Sequence, residues 1–433
     1  MQQLTITNFS CIRSAEITPA NLTLLIGPQA SGKSVISKLL YFFNDTIINL
    51  PFAAEDRLSV HDLEERIKQD FEKWFPSPAW GSGVFKIRFE TGPFWIQIRR
   101  RGSASRPSNK VELKISLDLL THYEILDSNF HNALQNDADQ SELSTTRPWR
   151  VLSQIQRFHN EILDEILDGQ HVRDQVFVPA GRSWFTSLGK SVGAFEYSGL
   201  LDPATLSFGR LYTTARERLR MGLLQESSQG SQEHQLTMAL FGGEIRFERD
   251  NEYIETVDGR KLQFNVLSSG QQELLPLWLV ISLRNWRSTG LFGLRNDGSS
   301  LIFIEEPEAH LFPTAQSTLL DYLASMVSAS SSRQQKMLVT THSPYVLTKI
   351  NNLLKAGELG TGSDKKVSAK IERIVPQRSW LQATETTAYA IIDGKVSNIM
   401  SEEGLIDGEY LDEVSGDLSR TFNELLEVEF SND

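Results

Sequence analysis

Residues 22–34 read LTLLIGPQASGKS, and this stretch decides the fold class of the 433-residue chain. Four of its first five residues are apolar and predict a buried β-strand, and a helical stretch follows at 34–43. Between them, residues 27–34 fit the pattern G-x-x-x-x-G-K-[ST], a glycine-rich turn between a strand and a helix. Backbone N–H groups of such a turn converge on phosphates, and the helix N-terminus adds a positive dipole end. An ordinary glycine turn is the alternative.

This turn supplies the first candidate site residues. The side chain of Lys33 is expected to neutralise the β- and γ-phosphates of a nucleotide, and the Ser34 hydroxyl to hold Mg²⁺. The predicted nucleotide-binding residues of the turn are Gly27, Gln29, Ala30, Ser31, Gly32, Lys33 and Ser34.

Residues 301–312, LIFIEEPEAHLF, predict a second buried strand, which ends in two carboxylates. Because a buried unpaired charge is costly, Glu305 and Glu306 are expected to face a metal ion, a cation or water. Glu305 is predicted to reach Mg²⁺, and Glu306 to orient and deprotonate an attacking water. A strand that runs into an acidic surface loop is the alternative.

Two further segments carry candidate phosphate ligands. Residues 267–271, LSSGQ, precede an apolar helical run, and serine hydroxyls and glycine N–H groups at a helix start form an anion site. An ordinary N-cap is the alternative, and Pro276 is predicted to kink this helix or delay its start. His342, in TTHSP at 340–344, is placed to donate to a γ-phosphate, although a lone histidine is usually structural. The predicted residues of the first segment are Ser268, Ser269, Gly270 and Gln271.

The remaining pattern predicts an α/β protein. Strands alternate with helices after residue 267, which indicates a parallel sheet with helices on its faces. The other predicted elements are an amphipathic helix at 59–75 capped by Ser59 and Asp62, three strands within 84–117, helices at 118–170 with a polar break at 136–146, a strand at 176–180, a strand meander at 242–264 that turns at residues 258–259, and short strands at 371–376 and 390–395.

These motifs together resemble the ATP-binding cassette family, and more closely its SMC/RecF/OLD branch. The resemblance rests on residues 4–34, on LSSGQQE at 267–273, on EEPEAHLFP at 305–313 and on THSPYVL at 341–347. It implies an ABC-type P-loop NTPase head with an antiparallel β subdomain and a helical insertion. The implied segments are an N-terminal ATPase lobe at 1–117, the insertion at 118–170, a C-terminal ATPase lobe at 171–350 and a small C-terminal extension at 351–433.

The resemblance also implies roles and partners. Two heads would pair around ATP, which lies between Lys33 of one head and Ser268 and Gly270 of the other. Glu306 carries over as the catalytic base, Glu305 as the magnesium-side carboxylate and His342 as the γ-phosphate sensor. The cofactors are then ATP and Mg²⁺, and the activity is ATP hydrolysis within a homodimer or higher oligomer.

Three features depart from the family pattern. The magnesium-side acid is Glu305, where the wider family usually has Asp. A clear Q-loop glutamine is missing, which leaves Arg182 in VFVPAGRSWF unassigned and Gln97 as an alternative in a plain strand. The residues after His342 lack the acidic pattern of the Toprim nuclease of OLD proteins, so nuclease activity is not expected.

Two functions remain open. A head with neither coiled coil nor nuclease is similar to stand-alone ATPases of the bacterial anti-phage systems Septu, PARIS and retron-associated cassettes, which implies an ATP-gated sensor or scaffold for a separate effector. The alternative is a RecF-like ATPase that binds DNA. Its candidate phosphate contacts are Arg99, Arg100, Arg101, Arg106 and Lys110. A transporter subunit is disfavoured by the long segment between Lys33 and LSSGQ.

The charge and composition restrict these possibilities further. The net charge is −12, but residues 401–433 hold eleven carboxylates against one base, so the rest of the chain is near neutral. The predicted tail helix presents apolar residues at Leu411, Val414, Leu418, Phe422 and Leu425. A single cysteine, Cys11, excludes a disulfide framework, and the apolar runs are too short to span a bilayer. A soluble cytoplasmic protein is therefore expected.

Overall fold

The structure is a computed structural model that describes residues 1–103, 106–138, 147–188, 200–221, 232–248, 251–287, 299–328, 335–408 and 420. Within that part, one sheet of eleven strands forms the centre, and a separate sheet of three strands lies apart from it. The strands in chain order are β1 (Gln2–Phe9), β2 (Ile12–Ile17), β3 (Leu22–Ile26), β4 (Lys86–Thr91), β5 (Phe94–Ser103), β6 (Arg106–Ile115), β7 (Asp174–Val178), β8 (Gly243–Glu248), β9 (Asn251–Thr256), β10 (Lys261–Gln263), β11 (Ser300–Glu305), β12 (Gln335–Thr341), β13 (Thr386–Ile392) and β14 (Lys395–Asn398).

Helices cover the large sheet. They are α1 (Lys33–Ile48), α2 (Leu50–Glu55), α3 (Val60–Trp74), α4 (Leu117–Ala138), α5 (Arg147–Ile166), α6 (Trp184–Leu188), α7 (Pro203–Arg220), α8 (Gln232–Phe241), α9 (Ser269–Arg287), α10 (Pro313–Val327), α11 (Pro344–Gly360) and α12 (Lys365–Glu372). Strands and helices together confirm the α/β prediction.

The large sheet has a parallel half and an antiparallel half. Its strand order is β6-β5-β4-β1-β2-β14-β13-β3-β12-β11-β7. Strands β13, β3, β12, β11 and β7 are all parallel, with Ile26 opposite both Ala390 and Thr341. Each of these five strands is almost wholly buried, as expected when helices cover both faces of a parallel sheet. Because parallel strands end at one edge, β3, β11 and β12 deliver their following residues to the same place.

The antiparallel half is a set of neighbouring hairpins. Strand β1 pairs with β2 and with β4, and β5 pairs with β4 and with β6. These are the predicted strands of residues 84–117 together with the opening of the chain. The pairing confirms the antiparallel β region that the family resemblance implies.

Aromatic packing fixes the helices on the antiparallel half. The ring of Phe9 on β1 lies 5.9 Å from Phe71, 5.6 Å from Phe75 and 4.8 Å from Phe85, centroid to centroid. Such pairs contribute about 0.5–1.5 kcal/mol each beyond the burial of their area. Helix α3 begins as predicted, because the Ser59 side chain accepts a hydrogen bond from the Asp62 N–H.

The other face of the sheet is covered by α9, α10 and α11. Their buried residues join apolar side chains from β3, β11 and β12 in one cluster. Helix α9 begins at Ser269 as predicted, with Pro276 inside it, so the proline does not delay the start. Strands β11 and β12 and helix α9, which carry or directly precede predicted site residues, are therefore packed together on this face.

The strand predicted at 371–376 is wrong. Helix α12 ends at Glu372, and its N-cap Asp364 accepts hydrogen bonds from the N–H groups of Lys366 and Val367. Because the cap at Asp364, seven residues before residue 371, starts a helix, the half-buried apolar residues at 371 and 375 lie in a helix and the turn after it instead of a strand. The strand predicted at 390–395 is correct only for residues 390–392 and 395, since β13 and β14 form a hairpin that turns at Asp393 and Gly394, both with positive φ.

The segment at 351–433, predicted as a C-terminal extension, contributes to the middle of the large sheet. Strand β13 lies beside β3, and β14 lies beside β2. The predicted acidic amphipathic helix at 411–425 lies outside the described residues apart from Arg420. Among the described helices, none has the length and apolarity that crossing a membrane requires.

Candidate functional site

The turn between β3 and α1 can be built only with glycine at residue 32. Gly32 has a φ of 108°, and a Cβ there would lie 2.4 Å from the Ile12 Cδ1 and 2.9 Å from the Cys11 Sγ. A Cβ at Gly27 would lie 2.8 Å from the Ile391 carbonyl oxygen. The backbone therefore closes tightly around the turn, and α1 begins at the next residue, Lys33.

The Lys33 ammonium lies inside this turn. Its Nζ donates to the carbonyl oxygens of Gly27 at 2.7 Å and Pro28 at 2.9 Å, and the residue is only 5% exposed. Burial lowers the pKa of Lys33, and the nearby carboxylates of Glu306, Glu308 and Glu305 act in the opposite direction. A cation is thus held between the turn and a group of acidic side chains.

Glu305 ends the buried strand β11 beside Ser34. One carboxylate oxygen, Oε2, accepts the Ala180 N–H at 3.2 Å, and the other, Oε1, is buried without a hydrogen-bond partner among the described residues. Burial raises the pKa of Glu305, while the Ser34 hydroxyl, the Lys38 charge and the Ala180 N–H favour the ionised form.

This pair of oxygens fits a magnesium ion. Mg²⁺ in nucleotide sites is held by one or two carboxylates together with phosphates and waters. The buried Oε1 of Glu305 is an acceptor in need of a partner, and the Ser34 hydroxyl interacts with the same carboxylate. A cation there would relieve the cost of the buried carboxylate.

Glu306 leaves the strand in a left-handed conformation. Its φ is 44°, which costs about 1–2 kcal/mol for a residue other than glycine. The Glu306 N–H donates to the Thr340 carbonyl oxygen at 3.0 Å and to its Oγ1 at 3.3 Å. The neighbouring strand β12 therefore holds this residue where the chain turns.

His342 lies next to Glu306, at the end of β12. The distance from its Nδ1 to the Glu306 Oε1 is 3.5 Å, and its side chain is 42% exposed. Glu308, which is almost fully buried, fixes the backbone here, because its Oε1 accepts the His342 N–H at 3.2 Å and the Thr341 hydroxyl at 2.5 Å. Histidine and two glutamates thus form one connected group.

Four of the sequence-predicted residues meet at this edge of the sheet: Lys33, Glu305, Glu306 and His342. They follow the adjacent strands β3, β11 and β12, so the parallel register brings them together. The arrangement combines a cation, two acidic groups and an imidazole. It can neutralise phosphate charge and accept a proton from water.

The predicted residues at 268–271 form a capping box at the start of α9. The Ser268 Oγ accepts the Gln271 N–H at 3.4 Å, and the Gln271 Oε1 accepts the Ser268 N–H at 3.1 Å. Gln271 also donates through Nε2 to the Phe241 carbonyl oxygen at 2.8 Å. The N-cap that was the alternative interpretation is therefore formed, and Ser268 and Ser269 are exposed.

Gly270 connects this helix start to residues 306–312, the loop that follows β11 and is called the acidic loop below. A Cβ at Gly270 would lie 2.7 Å from the His310 carbonyl oxygen, so the two backbones are in close contact. His310 follows Glu306 by four residues and itself has a φ of 59°. The start of α9 and the loop after β11 therefore pack directly against each other.

Sequence reasoning missed two participants and left a third unassigned. Glu308 was within the quoted EEPEAHLFP but received no role, although it holds the His342 backbone. Glu273, in LSSGQQE, is buried against Arg182, and Arg182 donates to the Glu305 and Glu306 carbonyl oxygens. Glu308 follows two other carboxylates and Glu273 follows two glutamines, so neither carried a signal of its own in the sequence. Gln97 lies on β5 between Arg88 and Lys114, away from the parallel half.

The predicted basic group on β5 and β6 is smaller than its sequence indicates. Arg100 is buried, and its guanidinium donates to the carbonyl oxygens of Ser108, Gly81 and Gly83. It is therefore not available to contact a phosphate. Arg99 is paired with Glu112. Besides the paired Arg99, the exposed residues of the group are Arg101, Arg106 and Lys110.

Comparisons with known proteins identify a family for this chain. The family model of the AAA ATPase domain matches residues 98–347, more than half of the chain and a span that includes LSSGQQE, Glu306 and His342. No curated protein matches in sequence. Among solved structures, the SMC head domain from Thermotoga maritima is similar at a TM-score of 0.35 and 12% identity, covering 92% of this chain and 98% of that chain. The recombination mediator protein RecF-ATPrS in the RecFOR pathway gives a TM-score of 0.28 and 11% identity, with 92% and 97% covered.

Proposed function

The chain belongs to the AAA ATPase domain family, and from that premise we propose that it binds ATP with Mg²⁺ and hydrolyses it to ADP and phosphate. The observation that supports this most is the meeting of Lys33, Glu305 and Glu306 at the ends of β3 and β11. A phosphate-binding turn opposite a pair of carboxylates is the arrangement that phosphoryl transfer to water needs.

Binding falls to the turn and its helix. Residues 27–34 present backbone N–H groups to the β- and γ-phosphates, and the Lys33 ammonium exchanges its carbonyl partners for phosphate oxygens. Ser34 and Glu305 hold Mg²⁺, which offsets phosphate charge when bound. Gln29, Ala30 and Ser31 complete the turn.

Hydrolysis falls to the acidic loop. Glu306 accepts a proton from water as the water oxygen attacks the γ-phosphorus, and the bond to the β–γ bridging oxygen breaks to release ADP. His342 lies 3.5 Å from the Glu306 carboxylate and donates to the γ-phosphate. Glu308 positions His342 by accepting its backbone N–H.

The complete site is shared between two copies of the chain. Ser268 and Ser269 are exposed at the start of a helix, where an anion from another molecule can dock. Three large apolar side chains near this edge are more than half exposed, which favours a protein contact there: Val266, Phe312 and Tyr345. In the proposed dimer, Ser268 and Gly270 of one copy contact the ATP held by Lys33 of the other.

Hydrolysis by the purified chain tests the core of this proposal. The Lys33→Ala variant is expected to bind ATP about 10²-fold more weakly, because hydrogen bonds to charged groups contribute roughly 1.5–3 kcal/mol. Lys336→Ala is the matched control, since Lys336 is a half-buried lysine on β12 that donates to the Gln170 carbonyl oxygen at the opposite edge. Equal phosphate release by wild type and Lys33→Ala would reject the site.

Control of a separate effector, and with it a role in anti-phage defence, stays a prediction from the family resemblance. It requires that a partner binds in one nucleotide state and leaves in the other. Pull-down of neighbouring gene products by the Glu306→Gln protein, with ATP and without nucleotide, is the direct measurement. A partner that binds equally in both states would exclude ATP gating.

Nucleic-acid binding is a second candidate, supported by the exposed cations of the β5–β6 hairpin. Replacing Arg101, Arg106 and Lys110 with Gln is expected to weaken DNA binding and to lower its salt dependence by about three charges. The matched control replaces Lys365, Lys366 and Lys370, an exposed basic group on α12. Equal loss in both variants would indicate non-specific attraction only.

A further inference from the structure

Arg182 is a fully buried charge in the centre of the site. Its side chain is 0% exposed, and burial lowers the pKa of its guanidinium while Glu273 acts in the opposite direction. A buried charge is tolerated only when it is paired and its donors are satisfied. The surroundings of Arg182 meet both conditions.

The guanidinium bonds to three separate segments. Nε donates to the Glu273 carbonyl oxygen at 2.8 Å, Nη1 to those of Pro179 at 3.0 Å and Glu305 at 2.9 Å, and Nη2 to that of Glu306 at 3.2 Å. The segments are the loop after β7, the first turns of α9, and the end of β11.

Glu273 completes the link from the side of α9. Its carboxylate accepts the backbone N–H groups of Arg182 and Ser183, each at 3.3 Å, and lies 3.8 Å from the Arg182 Nε. Glu273 stands three residues after Gly270 on the same helix. A displacement at the exposed start of α9 therefore reaches Arg182 through one rigid helical turn.

On the catalytic side, Arg182 holds a strained peptide. Glu306 has a positive φ, and its carbonyl oxygen is the acceptor for Nη2. Thr340 fixes the N–H of the same residue. Since a left-handed glutamate is unfavourable unless its neighbours fix it, the direction of the Glu306 side chain depends on both bonds.

We propose that Arg182 is a positioning residue that couples the start of α9 to Glu306, so that docking of Ser268 and Gly270 on a nucleotide sets the carboxylate for hydrolysis. The proposal rests on the proposed ATPase function. Arg182 does not contact the reacting atoms, and it acts through the backbone of Glu305 and Glu306.

The coupling predicts a change in kcat that is separate from nucleotide binding. Arg182→Met is expected to lower kcat for ATP by about 10²-fold, the loss typical of a misplacement near 1 Å, while the ATP dissociation constant changes by less than about threefold. Arg182→Lys, which keeps the charge but not the fork of donors, is expected to recover part of kcat.

Arg216→Met is the matched control. Arg216 is also buried and pairs with Glu252, but it lies on α7 and none of its described contacts involves the acidic loop. Loss of this ion pair should lower the melting temperature and leave kcat per folded molecule unchanged. A parallel loss of kcat in both variants would mean that Arg182 only stabilises the fold.

If Arg182→Met does not fold, Glu273→Gln provides a variant that keeps the side-chain shape and can still accept one of the two backbone N–H groups. It removes the charge that pairs with Arg182, so a fall in kcat without a change in ATP binding supports the coupling. Unchanged kcat in Glu273→Gln and Arg182→Lys overturns it. The two proposals fail separately, since an inactive wild type removes the ATPase function, and an active wild type with active variants removes only the role of Arg182.

Discussion

The two halves of the large sheet place their charged residues under different conditions. In the parallel half, Lys33, Glu305 and Glu306 gather at one edge, buried or half-buried, and an acceptor of Glu305 is left without a partner among the described residues. In the antiparallel half, Arg99 pairs across the hairpin with Glu112. The Arg99 side chain is exposed, and that of Glu112 is partly exposed. Convergence of strand ends creates a site, whereas hairpin pairing satisfies charges locally.

The largest expected effect concerns Glu306. Replacing it with Gln removes the proposed general base, which should lower kcat by about 10³-fold and leave ATP binding intact. Phosphate release and nucleotide binding are measured on the same preparation. Glu112→Gln in the antiparallel half is the matched control and should retain full activity. Comparable losses in both would remove the distinction between the halves.

Gly270→Ala should have an intermediate effect. The added Cβ would lie 2.7 Å from the His310 carbonyl oxygen, so the start of α9 must move away from the acidic loop. We expect kcat to fall about 10-fold or more, with ATP binding by an isolated chain little changed. Gly83→Ala is the control, because a Cβ there meets nothing within 4 Å. Wild-type kcat in Gly270→Ala would show that this contact is dispensable.

Asp45 is a half-buried carboxylate with a shifted pKa that lies outside the proposed nucleotide site. It lies on α1, which begins at Lys33, and burial raises its pKa to about 6 although Gln175 donates to it. Between the ordinary pKa near 4 and about 6, the folded state holds a proton that the unfolded state has lost, so stability falls as pH rises through this window.

Asp45→Asn should remove that slope and raise the free energy of unfolding above pH 6 by about 3 kcal/mol. Denaturant unfolding at pH 5 and pH 8 measures it, with exposed Asp168→Asn as control. Hydrolysis should be unchanged. Equal slopes in wild type and Asp45→Asn would contradict the burial of a charged Asp45.

The smallest effect is expected from Arg99→Gln. Its ion pair with Glu112 is exposed and screened by salt, so melting temperature and hydrolysis should both match the wild type within error. Thermal scans at low and high salt check this. A marked loss of activity would place the hairpin in the nucleotide site and end the contrast between the halves.

Much of the fold was predictable because local patterns and tertiary structure agree. The apolar run at 22–26, the cap at Ser59 and the meander at 242–264 each formed the expected element. The strand predicted at 371–376 failed because the Asp364 cap favoured a helix. Apolar residues alone do not distinguish a strand from a helical face in so short a segment.

The part of the site that was predictable consists of residues that lie within a recognisable sequence motif. Lys33 and Glu305 follow strands that the sequence identified, and the register of β3, β12 and β11 brings them together. The links through Arg182, Glu273 and Glu308 were not predictable, because they join residues 33 to 124 positions apart and most of them use backbone groups. The place of β13 beside β3 was equally hidden, since parallel neighbours leave no pairing signal in sequence.

The most direct test of the shared ATP site is to mix two inactive variants. Lys33→Ala lacks the lysine that we propose binds phosphate, and Ser268→Arg blocks the start of α9. A mixed dimer would therefore have one intact site and one doubly altered site. The account predicts that each variant alone is inactive and that an equal mixture regains about a quarter of wild-type hydrolysis, as random pairing of symmetric partners requires. A mixture as inactive as its components, although each variant folds and pairs, would contradict a site shared between two copies.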